Sequence, residues 1–142
     1  MRSWLLKKET RVKFKNDRAR LEFGKAPFKL REICIDLDTA SQKKFKIEMT
    51  CTRVKEPVAN ESGVHPAGRA ADFRDEYMID SENTERLYQP EQVQDLVDYL
   101  NEKYPRTDGK SVAIHHAVEG GMDHFHVQIP YAWLLPHERK GE

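Results

Sequence analysis

The sequence predicts an α+β fold: a small central antiparallel sheet with flanking helices. Two stretches, 27–40 and 90–104, repeat apolar residues at helical spacing, while 45–52 and 124–129 alternate with the period of two of a half-buried strand. Gly120-Gly121, set between two apolar runs, reads as the turn of a hairpin and makes its strands antiparallel. At 142 residues the chain has the size of a single domain with a proper hydrophobic core, residues 1–25 forming an amino-terminal arm or edge strand and 131–142 a carboxy-terminal tail.

Each element follows in order. Residues 1–25 alternate weakly at Thr10-Arg11-Val12-Lys13-Phe14 and are expected to form a basic arm or an edge strand. From Pro27 to about Ala40, Leu30, Ile33, Cys34 and Leu37 recur on one helical face, with Pro27 suited to a first turn. Phe45, Ile47, Met49 and Cys51 then alternate with polar residues, predicting a strand that leads to Arg53. Residues 54–68 contain Pro57, Gly63, Pro66 and Gly68 without apolar periodicity and form a loop. A short strand, Arg69 to Arg74, is expected to present Ala70, Asp72 and Arg74 on one face. A polar connection, Asp75 to Gln89, precedes a helix opened by Pro90, striped by Val93, Leu96, Val97, Leu100 and Tyr104, and ended by Pro105. The hairpin pairs Ser111–Val118 with His124–Ile129, and Tyr131 to Glu142 form a tail anchored by Trp133, Leu134 and Leu135.

Lys plus Arg equal Asp plus Glu at 24 each, yet residues 1–25 hold nine basic and three acidic side chains. This arm is the only electrostatic handle for an anionic polymer or lipid surface, a charge run otherwise serving as a solvated face, and nothing in the sequence signals nucleic-acid binding. Cys34 and Cys51 fall on apolar faces at a spacing that makes no metal signature, so both are expected to be buried free thiols. The first eight residues lack the apolar run of a secretory signal, and no stretch reaches the roughly 18–20 apolar residues of a membrane span. Cytoplasmic synthesis is the expectation, with release to an extracellular substrate on lysis. The sequence gives no signal of oligomeric state.

Chemistry concentrates in two pieces, Ser62 to Asp72 and Asp123 to His126. His65, Asp72 and His126 supply two imidazoles and a carboxylate, the three protein ligands with which a catalytic zinc site keeps a fourth position open. They can converge if the 69–74 and 124–129 strands are neighbours. Asp123, at the start of its strand, is the candidate general base for a zinc-activated water. His115 and His116 are adjacent on a strand and must point to opposite faces; both read as structural.

The pattern H-x-x-G-x-A-x-D at His65, Gly68, Ala70 and Asp72, followed by acid-x-x-His at Asp123 and His126, resembles the zinc D-alanyl-D-alanine carboxypeptidases and the phage L-alanyl-D-glutamate endolysins, which share a fold with the Hedgehog signalling domain. The resemblance implies His65, Asp72 and His126 as zinc ligands and Asp123 as catalytic base. It further implies that Arg53 pairs with a substrate carboxylate or carbonyl oxygen. The family usually carries serine two residues before the first ligand; here Gly63 stands there, and Ser62, one step out, is the candidate for the substrate contact. Met122, His124 and Phe125 replace the tryptophan often found beside the acid. His124 also creates a His-x-His pair similar to another branch of murein metallopeptidases, in which the first histidine assists catalysis.

The implied activity is zinc-dependent hydrolysis of peptidoglycan stem peptides, by endopeptidase or carboxypeptidase action. Aspartate rather than glutamate at 123 is more similar to the endolysins. The alternatives are a non-catalytic metal-bearing binding module of the same fold and, from the ligand types alone, a two-histidine, one-carboxylate iron oxygenase.

Overall fold

A computed structural model describes residues 12–56, 65, 67–116 and 123–139, omitting the side chain of Tyr77. Ser62, Gly63, Pro66, Gly120, Gly121 and Met122, with most of the basic arm, lie outside the described residues.

The fold is α+β, with three helices and an open five-stranded sheet. The strands are β1 (Lys13–Phe14), β2 (Thr50–Arg53), β3 (Ala70–Arg74), β4 (Glu76–Met78), β5 (Thr84–Arg86), β6 (Ala113–His116) and β7 (His124–Gln128). The helices are α1 (Asp17–Gly24), α2 (Phe28–Phe45) and α3 (Pro90–Lys103). The main sheet runs β1-β2-β3-β7-β6, and β4 and β5 pair as a separate hairpin.

The sheet is mixed, which corrects the antiparallel expectation. β1 runs parallel to β2, with Lys13 opposite Thr50 and Phe14 opposite Cys51. Parallel neighbours require a crossover, and α1 and α2 supply it. α1 escaped the sequence reading because it has almost no apolar stripe: only Ala19 and Phe23 are buried. Its start is set by Asn16, whose side chain accepts a hydrogen bond from the Ala19 amide at 2.9 Å.

The strand expected from Phe45 is also shorter than its alternation. α2 continues to Phe45 and stops where Lys46 adopts a left-handed conformation, φ 60°, donating its backbone N–H to the Ser41 and Gln42 carbonyls. The following residues keep the predicted in–out alternation, with Met49 and Cys51 buried, but ladder pairing begins only at Thr50. The Met49 amide is taken instead by the buried Asp38 carboxylate at 2.8 Å. The connection 75–89 contains the unpredicted β4–β5 hairpin, closed by Asp80, whose Oδ1 accepts from the Glu82 and Asn83 amides at 2.9 Å.

The core lies between one face of the main sheet and the helices. Leu30, Ile33, Cys34 and Leu37 of α2 and Leu96 and Leu100 of α3 are buried there, as their spacing predicts, against Phe73, Phe125 and Val127. In the tail Leu134 is buried and Trp133 packs on the core, whereas Leu135 is exposed. With Phe73 and Phe125 assigned to the core, strand alternation sends Asp72, Arg74, His124 and His126 to the opposite face.

Candidate metal centre

Asp72 occupies the middle of β3, and His126 is its direct partner on β7. Facing residues of antiparallel strands bring their Cβ atoms within about 5.5 Å, so the ladder alone delivers the second imidazole to the carboxylate. His65 comes from the loop before β3. Gly68 closes that loop by donating its amide to the His65 carbonyl at 2.8 Å, at φ 78°. An added Cβ there would meet nothing closer than the Lys55 side chain at 3.6 Å, so the backbone conformation, not space, calls for glycine.

The three residues converge. His126 Nδ1 lies 2.9 Å from Asp72 Oδ1, His65 Nε2 lies 3.2 Å from the same oxygen, and one donor atom from each residue falls within 4.8 Å of the others. All three are buried. Zinc bonds of about 2.0–2.2 Å at tetrahedral angles place ligand atoms roughly 3.3–3.6 Å apart, so small adjustments would fit the ion.

Proton accounting shows how the group could hold a cation. His65 Nδ1 lies 2.7 Å from the Val54 carbonyl oxygen, which can only accept; the proton is therefore on Nδ1, and Nε2 turns a lone pair toward Asp72. Consistent with this, Nε2 is buried without a hydrogen-bond partner. His126 is similarly placed: its Nε2 faces Gln128 Oε1 at 3.2 Å, while the Gln128 amide nitrogen donates to the Ser111 carbonyl. Two rings thus face four acceptor contacts, whereas two neutral imidazoles carry only two protons. A divalent cation among the three residues would answer both remaining contacts, as would a further proton on each ring, with a carbonyl and an amide oxygen orienting the rings from behind.

Burial works against the charged form of Asp72, yet hydrogen bonding from His126 and the close His65 and His124 rings more than offset it, holding the carboxyl far below the ordinary carboxylate range. Its second oxygen, Oδ2, receives the Arg53 guanidinium at 3.1 Å and has His124 Nε2 at 3.6 Å.

A cavity of about 370 Å³ opens over the group, lined by Arg53, His65, His116, His124, His126 and Gln128 with Ile114. The His116 ring centroid is 5.2 Å from those of both His124 and His126, a neighbourhood that alternation on β6 could have revealed. Burial and then the neighbouring His126 and His124 push the His116 imidazole below its ordinary value. A larger cavity, about 640 Å³, lies beside α1 and Lys55, but the carboxylates lining it, Glu22 and Glu138, are occupied by backbone amides. The smaller cavity is the one above the ligand group.

Asp123 belongs to a different cluster. Its carboxylate is paired with Arg86 at 3.0 Å and grouped with Asp75 and His115. Asp75 is fully buried and also accepts from Arg86, His115 and the Tyr88 amide. Because Arg86 bridges the two carboxylates, this cluster fastens the β4–β5 hairpin to the main sheet by ion pairing. His115 packs on Phe125, so His115 and His116 do face opposite sides. The structure therefore joins His65, Asp72, His126, Arg53 and His124 in one site, and sets Asp123 beside Arg86.

No family model, curated protein or solved structure matches the chain. Among the described residues no helix is long and apolar enough to cross a membrane.

Proposed function

We propose that the chain is a zinc-dependent peptidase of peptidoglycan stem peptides, cutting by L-alanyl-D-glutamate endopeptidase or carboxypeptidase action. One observation carries the metal reading: two buried histidines share a carboxylate oxygen while their other nitrogens face an amide and a carbonyl oxygen. The substrate class rests on the His-x-x-Gly-x-Ala-x-Asp and acid-x-x-His patterns.

His65, Asp72 and His126 would hold the ion, which when bound activates water and polarises the carbonyl under attack. Arg53 keeps Asp72 oriented through Oδ2 and, lining the cavity, is placed to meet a substrate oxygen. Hydrolysis also needs a group that takes the water's proton and returns it to the leaving amine. Asp123 is the candidate by sequence pattern; His124 is favoured by position, because it lines the cavity and approaches Asp72 whereas Asp123 is held by Arg86. We assign proton transfer to His124 and give Asp123 the task of fixing the start of β7.

The test is cleavage of defined muropeptides by purified protein, loss of cleavage on chelation and recovery with zinc. Zinc-replete protein that leaves every stem peptide intact would overturn the reading and favour a metal-bearing binding module. Metal analysis finding iron in place of zinc would favour an oxygenase.

A further inference from the structure

We propose that His116 donates a hydrogen bond to the oxygen of the carbonyl under attack, a catalytic role that rests on the peptidase reading above. His116 ends β6 directly opposite His124, and two residues before it Ile114 stands opposite His126. Strand alternation puts His116 and Ile114 on one face, and both side chains line the cavity over the ligand group. His116 is exposed there, so whatever fills the cavity meets its ring.

The other polar side chains of that lining are already committed. Arg53 gives its Nε to Asp72 and a second guanidinium nitrogen to the Glu56 carbonyl. His65 and His126 each turn one nitrogen to Asp72, and their other nitrogens face the Val54 carbonyl and Gln128 respectively. Gln128 donates its amide to the Ser111 carbonyl. His124 reaches toward Asp72 at 3.6 Å and carries the proton in the reading above. His116 alone among these polar side chains has no hydrogen bond or ion pair to another described residue. Its neighbours are rings, with the centroids of His124 and His126 each 5.2 Å away.

Those two neighbours indicate which substrate atom it serves. A scissile carbonyl must lie within reach of the ligand group, which includes His126, and of His124, which moves the proton. The ring adjacent to both is His116. Arg53 stands on β2, across β3 and β7 from His116, and so serves the other side of the group. In hydrolysis water's oxygen adds to the carbonyl carbon, and one of its protons passes through His124 to the amine as the C–N bond breaks. Negative charge gathers on the carbonyl oxygen in between. An N–H aimed at that oxygen binds more strongly as the charge develops, which lowers the barrier more than it tightens substrate binding. Imidazole carries an N–H in both its neutral and its protonated form, so the contact does not depend on titration.

The deciding comparison is wild type, His116→Phe and His116→Gln on one cleavable muropeptide, with zinc content measured in each. Phenylalanine keeps a ring and removes the donor; glutamine restores an N–H but cannot relay a proton. A loss of about 10²–10³-fold in kcat with little change in KM for His116→Phe, largely recovered in His116→Gln at equal zinc content, supports the proposal. Undiminished kcat in His116→Phe overturns it while leaving the peptidase reading intact. Equal loss in both variants overturns it in favour of proton transfer, and loss of zinc in either overturns it in favour of a role in the ligand group. If zinc-loaded wild type cleaves no muropeptide, the peptidase reading has failed separately. Calorimetric titration with phosphinate analogues of the L-alanyl-D-glutamyl and D-alanyl-D-alanyl bonds, whose tetrahedral phosphorus replaces the attacked carbon, then decides. Weaker binding by His116→Phe, restored in His116→Gln, supports the contact; equal affinity in all three proteins, or no binding by wild type, overturns it.

Discussion

His65 Nδ1 lies 2.7 Å from the backbone oxygen of Val54, and this contact determines which ring nitrogen faces Asp72. It also ties the ligand loop to the residue immediately after β2, so the loop's first ligand is positioned by the same strand whose Arg53 grips Asp72. The candidate metal group is thus braced from β2, β3 and β7 together.

Removing one imidazole should therefore separate metal retention from folding. His65→Ala deletes the buried, unpartnered Nε2 along with a ligand, so the metal-free variant should melt within a few degrees of metal-free wild type. Zinc at a hundredfold excess over its dissociation constant should stabilise wild type by about 2.7 kcal/mol and leave the variant almost unmoved. Differential scanning calorimetry with and without zinc, paired with metal analysis, checks both statements.

The two candidates for proton transfer give different signatures. His124→Gln should lower kcat by about 10²–10⁴-fold, the usual contribution of a positioned acid–base group, with zinc content intact. Asp123→Asn loosens the Arg86 pair and should lower thermal stability while retaining most of the turnover. Reversed outcomes, with activity lost only in Asp123→Asn, would return the base to Asp123.

Gly68 offers a test of backbone geometry. Alanine at φ 78° is strained by about 1–2 kcal/mol, and the surrounding space does not add to that penalty. Gly68→Ala should therefore destabilise by about that amount and, because the Gly68 amide holds the His65 carbonyl, weaken zinc affinity as well. Chemical denaturation and competitive zinc titration measure the two effects; an unchanged zinc affinity would show that the loop relaxes independently of its ligand.

Much of this site was legible because strand alternation and a spaced motif are local signals. Asp72, His126 and His124 could be assigned to one face from period two alone, and Gly68 announced a turn. The surroundings of Asp123 were hidden for a related reason: proximity in sequence to His126 says little about facing direction at a strand's entry, where the chain passes Asp75 and Arg86. Arg86 itself lay in a polar stretch that carries no apolar pattern, so neither its hairpin nor its two carboxylate partners could be foreseen. The mixed sheet was hidden by α1, whose charged surface resembles an arm, and the early end of the 45–52 strand pattern by the greater helical reach of α2.

Asp36 predicts an acid limit to stability. Burial opposes its charge, but the Lys103 ammonium at 2.7 Å and the Tyr99 and Tyr104 hydroxyls, each at 2.8 Å, lower its carboxyl below the ordinary value. A depressed folded-state value means that the contribution is fully present above the unfolded carboxyl's pKa, about 3.9, and disappears as pH falls through the folded one. After discounting for the exposed Lys103, Asp36→Asn should cost about 1 kcal/mol at pH 7 and progressively less as pH falls below about 3.9. Urea unfolding of both proteins at pH 7 and at a series of pH values below about 3.9 provides the comparison.

The buried thiols make the last prediction. Cys34 and Cys51 are both free and buried, and burial pushes the Cys51 thiol up to about 12, with Asp72 reinforcing the effect despite a contact to the Arg53 carbonyl. Burial likewise raises the Cys34 thiol well above its ordinary value. Alkylation requires thiolate, which at pH 8 would be scarce at both positions even if reagent could enter. Iodoacetamide should therefore leave both cysteines unmodified in the native protein and label them together in denaturant, as read by intact mass. Labelling of Cys51 alone under native conditions would mean that β2 opens locally, carrying Arg53 away from Asp72 and loosening the metal group without global unfolding.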